Sequence, residues 1–276
     1  MTEPFTADDD GVLQTLVRGL DVLRTVADMD GQATARTLSQ RLGLSLSRCY
    51  HILRTLKATG HITRLPGGKL GIGPGGAALG RRLHAGLEPP PELSAVLTRL
   101  HLRTRETAYV SGWVNGDITL LRFVSAERAP GIGGLDVGYT GDVHARASCR
   151  AVLAHLPPEQ ADAVLRGDRL RRLTPRTQCD PDLLHADLTA IRRRGHAVDL
   201  EEFRPGLCCA SAPYFDRDGR PAGSYTVSAP AARFGRSQRD LVAAVQEAAA
   251  VATNLIAGRG PGRPAGVTPE RRTRAG

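Results

Sequence analysis

The most constraining feature of this sequence is the order of elements predicted near its start, where three helical patterns are followed by a hairpin signal. Apolar residues recur at helical spacing over residues 12–29 and again over residues 34–42, with Thr34 as the N-cap of the second stretch. Gly43 then turns the chain, and a third helix begins after Ser45. Two helices joined by a short turn that contains glycine predict a helix-turn-helix.

Residues 61–65 and 69–72 alternate between apolar and polar side chains on either side of Pro66-Gly67-Gly68. Alternation around proline and glycine predicts a β-hairpin. A hairpin that directly follows a helix-turn-helix is the wing of a winged-helix domain. Residues 11–75 are therefore predicted to form a winged helix-turn-helix domain.

The charge distribution of this segment indicates a polyanionic partner. No acidic residue lies between Asp30 and Glu88, and the basic residues of that interval account for the formal net charge of the chain, +9. These residues are Arg36, Arg41, Arg48, Arg54, Lys57, Arg64, Lys69, Arg81 and Arg82. A basic field of this kind attracts a nucleic-acid backbone, so double-stranded DNA is the predicted partner.

The candidate DNA contacts are polar and basic residues at the helix starts, on the third helix and in the wing. The early residues of a recognition helix meet base edges in the major groove, whereas long basic side chains around it meet phosphates. We expect Ser47, Arg48 and His51 to contact bases, and Arg54, Lys57 and Lys69 to contact phosphates. The complete predicted set is Thr34, Ser45, Ser47, Arg48, Tyr50, His51, Arg54, Lys57 and Lys69.

Several of these residues also have a simpler interpretation. Arg54 and Lys57 could form only the solvated face of an amphipathic helix. Tyr50 and His51 could pack against neighbouring side chains instead of entering a groove. A basic domain without base contacts would be an architectural DNA-binding protein that has no sequence preference.

Residues 17–23 read VRGLDVL, and residues 38–62 read LSQRLGLSLSRCYHILRTLKATGHI. These two stretches resemble the helix-turn-helix of the IclR family of bacterial transcription regulators. Residues 141–157, 188–216 and 222–234 resemble the effector-domain blocks of that family in the expected order. The resemblance covers residues 14–257. This chain departs from the common pattern at His51, at Leu70 in the wing, and at Cys149-Arg150.

The length of 276 residues predicts more than one domain. We expect a linker helix and a proline-rich junction at residues 76–92, an effector-binding domain at residues 93–257 and a disordered basic tail at residues 258–276. The second domain mixes hairpins and helices, which predicts an α+β fold. The resemblance implies an antiparallel-sheet domain of GAF-like fold. Its predicted elements are a helix from Leu93, strands at residues 108–114, 118–124, 210–215 and 221–228, and helices at 181–195 and 237–257.

The resemblance also implies a small-molecule site in the second domain. It places Ala147 and Ser148 near the start of a helix, and it places Asp199, Cys209, Thr226 and Ser228 around the same cavity. Amide groups at a helix start attract anions and strand hydroxyls complete their hydrogen bonds, so a small organic acid would suit this site. The alternative is that the last three side chains are strand and core residues only.

An enzyme is the competing class of function. Cys209 and His144, with Asp199, include the residue types of a nucleophilic site, but no spacing links them. The five cysteines form no Cys-x-x-Cys pair, so neither a metal nor another cofactor is expected. The adjacent Cys208 and Cys209 could sense oxidants, or they could simply be buried on a strand.

The sequence predicts a ligand-responsive DNA-binding repressor in the cytoplasm. Its N-terminus is acidic, unlike a signal peptide, and we expect no apolar run of membrane-spanning length because polar residues interrupt residues 241–257. The resemblance implies a homodimer or homotetramer. A dimer would read two half-sites of a partly palindromic operator.

Overall fold

The structure is a computed structural model that describes residues 12–126, 136–167 and 170–258. It contains two compact units, which meet along the chain between Gly86 and Leu87. The predicted basic tail lies outside the described residues from residue 259 onwards.

The first unit contains the predicted winged-helix elements. Three helices precede a two-stranded antiparallel hairpin, in which Ile62 pairs with Ile72 and Arg64 pairs with Leu70. The following helix begins at Pro74, two residues before the predicted linker segment of residues 76–92, because proline is well suited to the first turn of a helix. The elements are α1 (Gln14–Asp28), α2 (Ala35–Leu42), α3 (Leu46–Ala58), β1 (Ile62–Arg64), β2 (Leu70–Ile72) and α4 (Pro74–Leu87).

Helix caps explain why the turn between α2 and α3 lies where it does. The Thr34 hydroxyl accepts a hydrogen bond from the Thr37 amide at 3.2 Å, and the Thr37 hydroxyl accepts one from the Thr34 amide at 2.9 Å. Gly43 ends α2 with a φ of 61°, which glycine adopts without steric cost. Ser45 then caps α3. The predicted caps are therefore confirmed.

The core of the first unit lies between the three helices and the hairpin. Val22 and Val26 of α1 pack with Leu38 of α2 and with Cys49 and Leu53 of α3. Because these side chains occupy one face of α3, its opposite face is left to solvent.

The second unit has the predicted α+β architecture. The structure adds a helix, α7, and a short strand, β5, that the sequence analysis did not include, and its last helix begins at Ala231 instead of Ser237. The elements are α5 (Pro91–Thr104), β3 (Thr107–Val114), β4 (Asp117–Val124), α6 (Ala147–Leu153), α7 (Pro158–Gly167), α8 (Pro181–Arg194), β5 (Ala197–Leu200), β6 (Leu207–Phe215), β7 (Pro221–Pro230) and α9 (Ala231–Gly258).

These strands form one antiparallel sheet with the order β4-β3-β7-β6-β5. One face of the sheet carries apolar residues such as Val110, Ala210 and Val227, which pack with α5 and α9. On the other side, α6, α7 and α8 enclose a second apolar cluster that includes Cys209. Side chains alternate between the two faces along each strand. The neighbours of these apolar residues therefore point towards the second side.

Helix α9 requires a correction to the predicted absence of a membrane-length segment. Among the described residues, it is the one helix that is long and apolar enough to cross a membrane. One face of the helix, which includes Phe234, Leu241 and Val245, is buried against the sheet and α5, whereas Val251 and Leu255 are each 37% exposed. Burial of the first face accounts for part of the apolar composition of α9.

Candidate nucleic-acid interface and effector site

The outer face of α3 presents the predicted recognition residues. Since Cys49, Ile52 and Leu53 are buried, the intervening positions of the helix face solvent. The predicted contacts exposed there are Ser47, Arg48, Tyr50, His51, Arg54 and Lys57. Tyr50 is 58% exposed, so it does not pack in the core of this unit.

Two hydrogen bonds organise the basic side chains around α3. On the helix itself, Nη2 of Arg54 lies 2.9 Å from Nδ1 of His51, one turn away. In the wing, Nζ of Lys69 donates to Oε1 of Gln32 at 2.6 Å. An ammonium group has three donors, so Lys69 keeps two for another acceptor.

Thr34 and Ser45 have structural roles of their own. Thr34 is half-buried in the capping box of α2, and the Ser45 hydroxyl accepts from the Arg48 amide at 3.3 Å. Each hydroxyl therefore stabilises a helix start. Contacts from either residue to DNA remain a prediction.

The predicted effector residues of β5, β6 and β7 lie side by side on the same face of the sheet. Asp199 is directly opposite Cys209, and Cys209 is directly opposite Ser228. The Cys209 thiol donates to Oγ of Ser228 at 3.4 Å. Thr226 is in hydrogen-bond contact with Ser211, 2.8 Å away. The sheet register thus brings four predicted residues into one buried polar row.

Asp199 is unusual among these residues because it is a carboxyl group that is only 2% exposed. Its Oδ1 accepts hydrogen bonds from the amides of Glu202, at 2.6 Å, and Phe203, at 3.3 Å. Burial raises the pKa of Asp199 to about 7, although those amides and the Arg150 charge act in the opposite direction. Its charge therefore changes close to neutral pH.

Ala147 and Ser148 begin α6 and are fully buried. The Ser224 hydroxyl donates to the Ser148 carbonyl oxygen at 2.9 Å, which ties α6 to the polar row. Helix α6 has seven residues, so its dipole contributes less to anion binding than the sequence analysis assumed. Arg146 occupies the N-cap position before it.

Tyr109 and Ser211 belong to this polar face but were missed by the sequence analysis. Tyr109 is 1% exposed, and its side chain lies close to Ser148 and Cys209. Burial raises the pKa of Tyr109 well above its ordinary value. The available signal was the alternation of residues 107–114, in which Tyr109 and Ser111 fall on the side opposite Ala108 and Val110.

Arg150 connects the elements behind this face. Its Nη1 donates to Asp187 of α8 at 2.9 Å, and its Nη2 donates to Glu202 at 2.6 Å and to the Val198 carbonyl oxygen at 2.7 Å. The departure from the family pattern at Cys149-Arg150 thus creates a buried ionic link between α6, α8 and the segment after β5.

The geometry gives no support to the nucleophilic site considered from the sequence. Burial raises the pKa of Cys209 far above its usual range, so its sulfur is a thiol and not a thiolate. Nε2 of His144 lies 3.0 Å from the carbonyl oxygen of Arg171. Within the described ranges, no group of three or more histidine, cysteine, aspartate or glutamate side chains could hold a metal ion.

Cys208 and Cys209 face opposite sides of the sheet. Cys208 packs in the cluster of α5 and α9, whereas Cys209 packs in the cluster of α6 and α8. Both are 4% exposed. Their burial on a strand agrees with the simpler interpretation of this pair.

A winged helix-turn-helix with an exposed basic recognition helix, followed by an α+β domain, defines the class of two-domain DNA-binding transcription regulators. Residues 15–66 match the family model described as IclR helix-turn-helix domain. Residues 91–253 match the model described as bacterial transcriptional regulator IclR C-terminal. The chain belongs to the IclR family of bacterial transcription regulators.

Individual relatives extend along nearly the whole chain. The HTH-type transcriptional regulator BhcR of Paracoccus denitrificans is 34% identical over 94% of this chain and 92% of its own length. The transcriptional repressor IclR of Escherichia coli is 28% identical over 83% of this chain and 84% of its own. An IclR homolog of Microbacterium hydrocarbonoxydans, solved in complex with 4-hydroxybenzoate, has a TM-score of 0.68 and 22% identity, covering 87% of this chain and 98% of that one.

Proposed function

We propose that this protein is a cytoplasmic repressor that binds partly palindromic operator DNA as a dimer or tetramer. The binding of a small metabolite lowers or raises its affinity for that DNA. The observation that carries the proposal is the exposed face of α3, where Ser47, Arg48 and His51 stand opposite the buried core of the domain. Relatives that bear the name of repressor support the sign of regulation.

The proposed readout separates base contacts from phosphate contacts. Ser47, Arg48 and His51 lie on the early part of α3 and meet base edges. Arg54, Lys57 and Lys69 meet phosphates and set the position of the domain on the duplex. Tyr50 is exposed beside them and contacts the groove or the sugar-phosphate backbone. Thr34 and Ser45 complete the set from the helix starts.

Exposed leucines within the first unit support self-association. Leu13, Leu16 and Leu20 of the α1 region are 47% to 72% exposed, and Leu79 and Leu83 of α4 are 49% and 59% exposed. Apolar side chains grouped at helical spacing on a surface are typical of protein interfaces. Two copies joined through these helices would present two α3 helices to two half-sites.

The effector site of the proposal is the buried polar face of the second unit. Ala147 and Ser148 at the start of α6 and Asp199, Cys209, Thr226 and Ser228 on the sheet would surround a small organic acid. The relative that binds 4-hydroxybenzoate supports an acid of this general class. The effector changes DNA affinity only by the difference between its affinities for the two states of the protein.

The decisive experiment is selection of bound sequences from a random duplex pool by the full-length protein, with and without small organic acids. Recovery of a partial palindrome supports specific readout by a dimer. The R48A variant serves as the test variant and R236A, an exposed arginine of α9, serves as the matched control. Binding to the pool without enrichment of any sequence would identify an architectural DNA-binding protein. If the protein bound no duplex under any condition, the proposal would be rejected.

A further inference from the structure

Arg146 is a buried arginine that forms no ion pair with a carboxylate of the described residues. It is 2% exposed, and its Nη1 donates to the carbonyl oxygen of Gly141 at 3.0 Å. Its Nε and Nη2 have no hydrogen-bond partner within the described residues. A guanidinium group does not lose its proton in a protein, so this side chain keeps a full positive charge in a place that excludes water.

The carboxylate of Asp142, which is hydrogen-bonded to the tyrosine that lies against Arg146, is already used by other groups. Asp142 accepts two hydrogen bonds from Arg171, at 2.8 and 3.0 Å, and a third from the Tyr139 hydroxyl. Among the described residues, no carboxylate forms an ion pair with Arg146. A buried charge without a counter-charge is costly, and buried charged groups of this kind are concentrated at functional sites.

The open edge of Arg146 has the shape that carboxylates bind. Nε and Nη2 form one side of the planar guanidinium group. In two other arginines of this chain, the same side binds a carboxylate through two parallel hydrogen bonds. Arg171 uses it for Asp142, and Arg233 uses it for Glu106 at 2.7 and 2.8 Å. Bidentate pairing of this kind is the strongest hydrogen-bonded contact between arginine and an anion.

The guanidinium is also held in a fixed orientation. Its central carbon lies 5.0 Å from the centre of the Tyr139 ring, a cation–π distance, while Nη1 is anchored to Gly141. The open edge is therefore ready before a ligand arrives. A ligand that meets such a group loses less free energy to ordering than one that must arrange a flexible side chain.

Arg146 is adjacent to the polar face described above. It directly precedes Ala147 and Ser148, and Tyr109 interacts with Ser148, with Cys209 and with the charge of Arg146. One buried region therefore contains a fixed cation, several neutral hydroxyl groups and the carboxyl group of Asp199. We propose that the Nε and Nη2 edge of Arg146 binds the carboxylate of the effector, a small organic acid; this inference rests on the effector site of the proposed function and names the residue that recognises its charge.

The test uses the full-length protein and pairs of ligands that differ only in charge. Acetate, pyruvate and 4-hydroxybenzoate are each compared with the corresponding amide, by thermal unfolding and by calorimetry. At least one acid should raise the Tm of the wild-type protein while its amide does not. In R146M that acid should bind roughly 10- to 100-fold more weakly, the range for a lost charge-assisted hydrogen bond. R122M, which alters an exposed arginine paired with Glu88, should bind it normally.

The unliganded variants provide an independent readout. R146M removes an unpaired buried charge, so its Tm should equal or exceed that of the wild-type protein, whereas a purely structural arginine would lower the Tm when removed. A lower Tm combined with normal binding of the acid overturns the inference. It is also overturned if no acid stabilises the wild-type protein at concentrations far above metabolite levels, or if phosphate and sulfate bind as well as the acids do. Binding of an acid that does not depend on Arg146 would leave the proposed regulator intact, since operator selection tests that function separately.

Discussion

Asp199 and Cys209 face each other as directly paired residues of β5 and β6, so a buried carboxyl group lies beside a buried thiol. Burial, together with the charge of Asp199, raises the pKa of the Cys209 thiol. The pair is uncharged when Asp199 is protonated, and it carries one buried negative charge when Asp199 is ionised. Asp199 therefore makes the stability of this unit depend on pH.

We expect D199N to make the Tm less sensitive to pH. The folded-state pKa of Asp199, about 7, lies above the ordinary value of 3.8, so its stabilising contribution is complete below that ordinary value and is lost as pH rises through about 7. D199N keeps an oxygen to accept from the Glu202 and Phe203 amides. Between about pH 4 and pH 8, the free energy of unfolding of D199N should rise, relative to that of the wild-type protein, by on the order of 1 to 4 kcal/mol.

The measurement is the Tm of both proteins across that pH range. D218N, which neutralises an exposed carboxylate, serves as the control and should follow the wild-type protein. A D199N profile parallel to the wild-type one would contradict the raised pKa.

R48A should weaken operator binding and reduce the discrimination between bases at one position of the operator. Its side chain lies on the exposed early part of α3, and the loss of one base contact costs about 1 to 3 kcal/mol. Affinity for the selected operator and for singly substituted operators is measured by fluorescence anisotropy. Unchanged affinity for all of them would remove Arg48 from the interface.

K69A should weaken binding to every duplex by a similar factor and reduce the slope of log affinity against log salt by about 1. The reason is that an ammonium group meets phosphates without reading bases. Since Lys69 also donates to Gln32, Q32A tests whether that hydrogen bond alone matters. Q32A should keep the wild-type salt slope. A loss confined to certain sequences in K69A would contradict the wing assignment.

R150M should destabilise the second unit by about 3 to 5 kcal/mol. It removes the cation of the Glu202 carboxylate, and it leaves Asp187 paired with Arg194 alone, at 3.3 Å; these two carboxylate side chains are 15% and 27% exposed. Thermal unfolding measures the loss. R176M breaks the more exposed ion pair between Arg176 and Glu201 and should lower the free energy of unfolding by less than about 1 kcal/mol. Similar Tm values for R150M and R176M would show that the Arg150 link is not a major support of the fold.

Local patterns were sufficient to predict the first unit. Its stripe of Cys49 and Leu53, its caps at Thr34 and Ser45 and its glycine turn at Gly43 all act within a few residues of one another. Local agreement of this kind makes helix boundaries readable from one sequence.

The second unit depends on contacts between distant parts of the chain. The strand β5 has four residues, too few for a clear alternation, and it forms because Ala197 pairs with Ser211. Tyr109 joins the polar face because its strand is paired with β7 in a register that places it opposite Thr226. The open edge of Arg146 is likewise a property of its surroundings. The alternation of residues 107–114 indicates on which side of its strand Tyr109 lies, but neighbouring residues do not indicate which strand pairs with it or what surrounds Arg146.

The opposite orientation of Cys208 and Cys209 also limits how their thiols can react with oxidants and with metals that bind sulfur. Arsenite and other thiophilic agents bind neighbouring cysteines when both sulfurs can reach one atom, but here the backbone of β6 separates the two side chains into different apolar clusters. Burial raises the pKa of both thiols, that of Cys208 to about 11, so neither sulfur is a ready nucleophile. The two adjacent thiols are therefore unreactive while the domain stays folded. A reaction of this protein with arsenite or mild peroxide would have to occur at another position.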